Sequence, residues 1–223
     1  MTPVLSVMAV SKRYGRQPVL RDVTFSVSES DVVGVIGPNG VGKTTLLRIV
    51  VGLQQASGGS VQIQRGSVQE GLKRLRVAYF GGESTVPGHV RSHRWRALFH
   101  HIEPGAGREP IRLLSRGTRQ MLGLRTVFTL PALRLIVLDE PWEGLDPDAA
   151  RWLTGAVRAR RDAGAAVLIS SHRLHDLAGV CDSYVFLDAG VSTCIPAGEL
   201  ARDGVVTGDE LLRTFDTIRG GTR

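Results

Sequence analysis

The segment that most constrains this chain is Gly37-Pro38-Asn39-Gly40-Val41-Gly42-Lys43-Thr44-Thr45, GPNGVGKTT, set directly behind the apolar run VVGVIG. It fits Gly-x-x-x-x-Gly-Lys-Thr. It also joins a continuous apolar run, the mark of a buried parallel strand, to TTLLRIVVGL, which reads as a helix. Strand, glycine-rich turn and helix in that order make a phosphate loop. Gly37, Gly40 and Gly42 let the backbone turn with its amide groups facing an anion. The helix adds its positive N-terminal end. Lys43 is then placed to reach the β- and γ-phosphates of a nucleoside triphosphate, and the Thr44 hydroxyl to ligate Mg²⁺.

The rest of the chain reads as an α/β domain built around that loop. VLSVMAV, VLRDVTFSV, VQIQ and RLRVAYF read as strands; the second alternates apolar residues at Val23, Phe25 and Val27. ALRLIVLDE and AAVLISSH are further buried strands, and SYVFLDAG is a strand and turn. DPDAARWLTGAVRARRDAG, RLHDLAGVC and the tail GDELLRTFDTI read as helices, with RGGTR frayed behind the last. Alternating strands and helices imply a mostly parallel sheet covered on both faces. Residues 83–130 differ in character. RSHRWRALFHHI is helical with Trp95, Leu98 and Phe99 on its apolar side, EPGAGREP is a loop, and SRGTRQMLGLRTVFTL is a second helix ended by Pro131. The chain is thus expected to be a single domain over 1–223, with a short helical subdomain at about 83–130 inserted in the α/β core.

Two more strand ends carry chemistry. In LIVLDEP, Asp139 closes a buried strand, where ligands bind in open α/β sheets, and its carboxylate can hold Mg²⁺ directly or through water. Glu140 follows at once and is suited to polarise an attacking water. His172 ends LISSH, where it can hydrogen-bond a γ-phosphate and help orient that water. A further polar turn, LLSRGTRQ, also opens a helix and also looks built for an anion. One chain then has two phosphate-facing segments.

The order GPNGVGKTT, LLSRGTRQ, LIVLDEPWEGLD, LISSH resembles the nucleotide-binding subunit of ATP-binding cassette (ABC) transporters over nearly the whole chain. The resemblance implies a P-loop NTPase fold of the ABC type, with a mostly parallel core sheet, an N-terminal antiparallel β part and the short helical subdomain. It implies ATP and Mg²⁺ as cofactors and ATP hydrolysis that drives transport. Gly37 to Thr45 match the Walker A loop, Asp139 and Glu140 the Walker B pair, and His172 the switch histidine. Ser115, Arg116, Gly117 and Thr118 match the signature turn, Glu143 to Asp146 (with Gly144 and Leu145) the D-loop, and Tyr14 the aromatic that stacks on adenine. In this family two subunits meet head to tail, and the signature of one covers the γ-phosphate held by the other. The two phosphate-facing segments would then serve two different nucleotides. Partners would be membrane-spanning permease subunits and a second ATPase subunit, in a homodimer or a heterodimer. The chain would sit in the cytoplasm, peripheral on the inner face of the cell membrane.

Three features depart from the family pattern. The signature reads LSRGT, with Arg116 in place of a glycine. In FGGES, Gly82 falls where a glutamine that contacts Mg²⁺ and water is expected, so that contact is missing or Glu83 substitutes. This departure keeps open a weakened ATPase used as a nucleotide switch. The helical insert is also shorter than usual. A net charge of +7 and a pI near 10.2 would suit a non-transport ABC ATPase acting on nucleic acid or the ribosome. Yet no compact basic run with interleaved aromatics appears, and nucleic acid is not the expected partner. No apolar run is long enough to span a membrane, and the N-terminus has no signal pattern, so a soluble chain is expected. Cys181 and Cys194 are too few for a disulfide framework; they read as packed small hydrophobes in a reducing compartment. His89, His93, His100 and His101 crowd the insert and read as a wet basic surface rather than a metal site. Trp142 and Trp152 read as packing residues.

Overall fold

The computed structural model describes residues 3–99 and 108–221. In chain order the elements are β1 (Leu5–Tyr14), β2 (Gln17–Val27), β3 (Val32–Ile36), α1 (Lys43–Val50), β4 (Gly58–Ile63), β5 (Gly66–Ser67), α2 (Val68–Arg74), β6 (Val77–Phe80), α3 (Ser92–Leu98), α4 (Arg116–Thr129), β7 (Leu135–Asp139), α5 (Pro147–Asp162), β8 (Ala166–Ser171), α6 (Leu174–Leu177), β9 (Ser183–Asp188), β10 (Val191–Pro196), α7 (Ala197–Leu200) and α8 (Gly208–Gly221). The strands form two sheets. One has the order β10-β9-β3-β8-β7-β6, with β10 antiparallel at its edge and the other neighbours parallel. The other, β2-β1-β4-β5, is antiparallel throughout. The expected mostly parallel core with an N-terminal antiparallel part is therefore present.

Strand alternation divides the core between the two faces of the large sheet. Val33, Val35, Leu135, Val137 and Leu168 pack with Leu46 and Leu47 of α1 and with Leu5, Val7 and Val23 of the antiparallel sheet. Val32, Ile36, Ile136, Leu138, Val167 and Ile169 face the other way, onto Leu153 and Val157 of α5 and Leu211 of α8. Being covered on both faces, β3, β7 and β8 are buried at every residue, which is why they read as unbroken apolar runs.

Sequence expectation and structure part at several places. RLRVAYF is strand only over Val77–Phe80; Val68–Arg74 is a helix. The signal is a capping box: Glu70 N donates to Ser67 Oγ (3.3 Å) while Ser67 N donates to Glu70 Oε2 (2.9 Å). Gly71 hides the helix, because glycine disfavours helix interiors. Its reason is packing, since a Cβ there would lie 2.3 Å from Ile63 Cβ. Leu98, expected on the apolar side of its helix, is exposed, whereas Trp95 and Phe99 pack against Val86, Ile111 and Leu122. Trp95 also anchors α3 to α4 by donating Nε1–H to Thr126 Oγ1 at 2.9 Å. Cys194 is exposed on β10, while Cys181 is buried against Gly34, where burial pushes its thiol pKa up. Finally, VSTCIP adds an edge strand beyond the turn after β9. His100, His101 and most of the EPGAGREP loop lie outside the described residues.

Gly71→Ala is expected to destabilise the protein by about 1–3 kcal/mol despite alanine's better helix propensity, because α2 must back away from Ile63. Denaturant unfolding measures this; a stability gain would show that α2 is free to shift.

Candidate functional site

The phosphate-loop turn depends on backbone room. Gly40 and Gly42 have φ of 81° and 115°, and a Cβ at Gly37 would lie 2.6 Å from the Leu187 carbonyl oxygen. Glycine alone meets both demands without strain. The turn delivers Lys43 to the first position of α1, where it is only 5 % exposed. A buried ammonium needs partners. Lys43 Nζ donates to Gly37 O at 2.7 Å and Pro38 O at 3.3 Å, and lies 3.0 Å from Glu140 Oε1.

Glu140 connects the other strand ends. It leaves β7 with φ 48°, an unusual conformation for a side-chain-bearing residue. Its N–H donates to Ser170 O (3.2 Å) and Ser170 Oγ (3.0 Å), and Ser170 Oγ–H donates to the buried Asp139 Oδ1 at 2.6 Å. The second carboxylate oxygen, Oε2, accepts from His172 N–H at 3.1 Å and lies 2.9 Å from His172 Nδ1. Lys43, Glu140 and His172 thus form one connected row, from three separate strand ends, with Asp139 tied to it through Ser170.

Asn39, Gly40, Gly42, Lys43, Thr44, Thr45 and Glu140 line a cleft of about 330 Å³ together with Tyr14 and Val19. Tyr14 is half exposed at its rim. A hydrogen bond with Thr45, then one from Gln54, holds the phenol pKa below its ordinary value. Lys12 Nζ sits 5.3 Å from the ring centroid. The ring therefore stands beside the phosphate loop with a cation near it and its hydroxyl fixed by neighbours. Sequence motifs do not single out Gln54 or Ser170 as site residues. Ser170 has only a faint signal, a serine pair in an otherwise apolar buried strand.

The signature turn lies elsewhere. Ser115 caps α4: its Oγ accepts from Thr118 N at 3.2 Å and lies 2.7 Å from Thr118 Oγ1. Ser115, Gly117 and Thr118 line a cleft of about 610 Å³ with Gly144, Leu145 and Asp146, the D-loop residues. Asp146 caps α5 in the same way, accepting from Ala149 N at 2.8 Å, with Pro147 in the first turn. Arg116 bonds Glu143 Oε1 at 2.6 Å. Signature and D-loop are therefore brought together, in a cleft other than that of the phosphate loop. Trp142 is buried in the core and Trp152 packs edge-on to Phe128 (centroids 5.9 Å apart), as packing residues do.

Gly82 has φ 76°, and a Cβ added there would meet no atom within 4 Å. Space does not demand glycine here; backbone conformation does. Glu83's side chain lies outside the described part of the protein. Gly82→Gln should cost roughly 1–2 kcal/mol in the left-handed conformation, and Gly82→Asn less, because asparagine tolerates it. Thermal or denaturant unfolding of both variants checks this; equal stabilities would show that the turn relaxes.

The family description "ABC transporter" matches residues 20–143, more than half of the chain. Among curated relatives, the Nod factor export ATP-binding protein I of Ralstonia nicotianae is 30% identical over 213 residues, covering 85% of this chain and 65% of that protein. This chain therefore spans slightly less than two thirds of that relative's length. A lipopolysaccharide export system ATP-binding protein of Acidithiobacillus ferridurans is 28% identical and covers 92% of this chain and 95% of its own length. A solved ATP-binding subunit of an ABC transporter superposes with a TM-score of 0.76 at 26% identity, over 96% of this chain and 99% of that one. On the family match and these likenesses, the chain belongs to the ABC transporter family.

Proposed function

We propose that this chain is the ATP-binding and ATP-hydrolysing subunit of an ABC transporter, working as an ATP-dependent dimer beneath separate membrane-spanning subunits on the inner face of the cell membrane. The observation that carries the reading is the row Lys43–Glu140–His172, in which a phosphate-loop lysine and a strand-end histidine both contact one carboxylate. The Lys43–Glu140 pair is a ready exchange. An incoming γ-phosphate offers Lys43 a stronger, multiply charged partner. Glu140 is then free to take a proton from an attacking water, and His172 is placed to hydrogen-bond the phosphate. Asp139 and Thr44 offer a carboxylate and a hydroxyl, the hard oxygen donors that Mg²⁺ takes. When bound, Mg²⁺ neutralises charge on the β- and γ-phosphates. Tyr14, at the rim of the cleft, supplies a face for the adenine.

The second cleft supports the dimer. The signature turn opens a capped helix, yet it does not line its own chain's phosphate-loop cleft. A head-to-tail pair supplies it with the nucleotide of the other subunit. The roles named for the relatives, Nod factor export and lipopolysaccharide export, support transport as the work driven. No helix among the described residues is long and apolar enough to cross a membrane.

Steady-state phosphate release with Mg²⁺, paired with nucleotide titration, tests the reading. Glu140→Gln should lower turnover by about 10²–10⁴-fold, the usual contribution of a general base, while ATP binding is kept or tightened because Lys43 loses its carboxylate partner. Wild-type turnover in this variant would remove Glu140 from the role. Lys43→Ala should weaken ATP binding by about 1.5–3 kcal/mol, the worth of a hydrogen bond to a charged group. Tyr14→Ala should lose about 1–3 kcal/mol of affinity, by loss of base stacking, with turnover at saturation unchanged. An unaltered affinity in either variant would count against the corresponding contact.

A further inference from the structure

Gln120 sits in the second turn of α4, five residues past the capping Ser115, and is 3 % exposed. A buried amide must find hydrogen-bond partners. Its Nε2 donates to the main-chain oxygens of Glu140 (3.3 Å) and Pro141 (3.1 Å). These carbonyls belong to the residue whose carboxylate meets Lys43 and His172, and to its neighbour. Glu140 holds φ 48°, which a side-chain-bearing residue keeps only where its surroundings impose it. Two groups supply the restraint. Ser170 takes the Glu140 N–H from the β8 side, and Gln120 takes the C=O from the α4 side.

The same end of α4 is fastened to the following loop twice more. Gly117 lies so close to Gly144 that a Cβ would be 2.8 Å from the Gly144 oxygen. Arg116 bonds Glu143 at 2.6 Å. The start of α4 and residues 140–144 are therefore linked at Gln120, Gly117 and Arg116, all within about one helical turn of the signature. These contacts make a continuous path from the signature turn to the Glu140 backbone.

We infer that Gln120 is a positioning residue for Glu140, and that it couples the signature turn, which meets one nucleotide, to the glutamate that serves the other. The inference rests on the head-to-tail reading given above. Gln120 closes the segment LLSRGTRQ, but the resemblance gives a role only to Ser115, Arg116, Gly117 and Thr118. Its role is to hold a backbone and transmit a shift; it does not touch the reacting atoms.

The test uses the full chain with Gln120→Leu, which keeps volume and removes both donors, and Gln120→Asn, which keeps the amide but is one methylene short of the two carbonyls. Three quantities are measured: turnover and its Hill coefficient from phosphate release against ATP concentration, the Kd for ATP under non-hydrolysing conditions, and the melting temperature. Both variants should lose about tenfold in kcat and bring the Hill coefficient down toward one, with Kd within twofold of wild type and melting within a few degrees. Unchanged kcat and Hill coefficient would overturn the inference, as would a loss of affinity and melting temperature that parallels the loss of kcat. If the leucine variant does not fold, the asparagine variant decides on the same criteria; failure of both to fold makes Gln120 a folding residue and overturns the inference too. A wild type that hydrolyses ATP while the variants match it sinks this inference alone. A wild type with no turnover sinks the hydrolysis reading, and the inference with it.

Discussion

The structure depends on how one buried positive charge is satisfied. Lys43 is almost fully withdrawn from water, and an unpaired ammonium in that position would be strongly destabilising. Its partners come from its own loop, at Gly37 and Pro38, and from Glu140 across the sheet. Satisfying it therefore requires that β3 and β7 end at the same edge of the sheet. The strand order β3-β8-β7 does this, and it places the end of β8, hence His172, between them. The site lies at the carboxyl ends of parallel strands because only there do successive strands release their next residue toward a common crevice.

The same geometry explains why function and local strain coincide. Glu140 is turned out of β7 in the left-handed region, which ends the strand abruptly and aims the carboxylate back at Lys43 and His172. Ser170 stabilises this turn twice, by accepting the Glu140 N–H and by donating to Asp139. A buried hydroxyl in β8 is satisfied within the strand pair, so the polar intrusion costs little. The two carboxylates of the site are then oriented by one serine.

Capping chemistry recurs at the second cleft. Ser115 and Asp146 each close the N-terminus of a helix with a side-chain oxygen, and these helix ends flank the same groove. Each cap pairs one backbone N–H, that of Thr118 or of Ala149, and leaves the positive end of the helix facing the groove. The Arg116 side chain is held by Glu143.

Much of this is legible in the sequence where the signal is local. Glycines at fixed spacing, an apolar run before them and a helix after them already define a phosphate loop, because each residue's conformational demand is met by its neighbours. The fully buried strands, the helix opened at Ser115 and the strand-end residues Asp139, Glu140 and His172 can be read in the same way. Helix α2 can be read only against the contrary signal of Gly71, whose purpose is contact with Ile63, a residue on another element. Leu98 lies on the wrong side of its helix because α3 is short and its burial is set by α4, not by its own periodicity. Only tertiary structure decided that Lys43, Glu140 and His172 form one row, that Gln120 holds the Glu140 carbonyl, and that Gly82 is required by its φ rather than by lack of space. Those facts depend on which strands become neighbours and at what register. Long-range pairing sets both, and no window of sequence contains it.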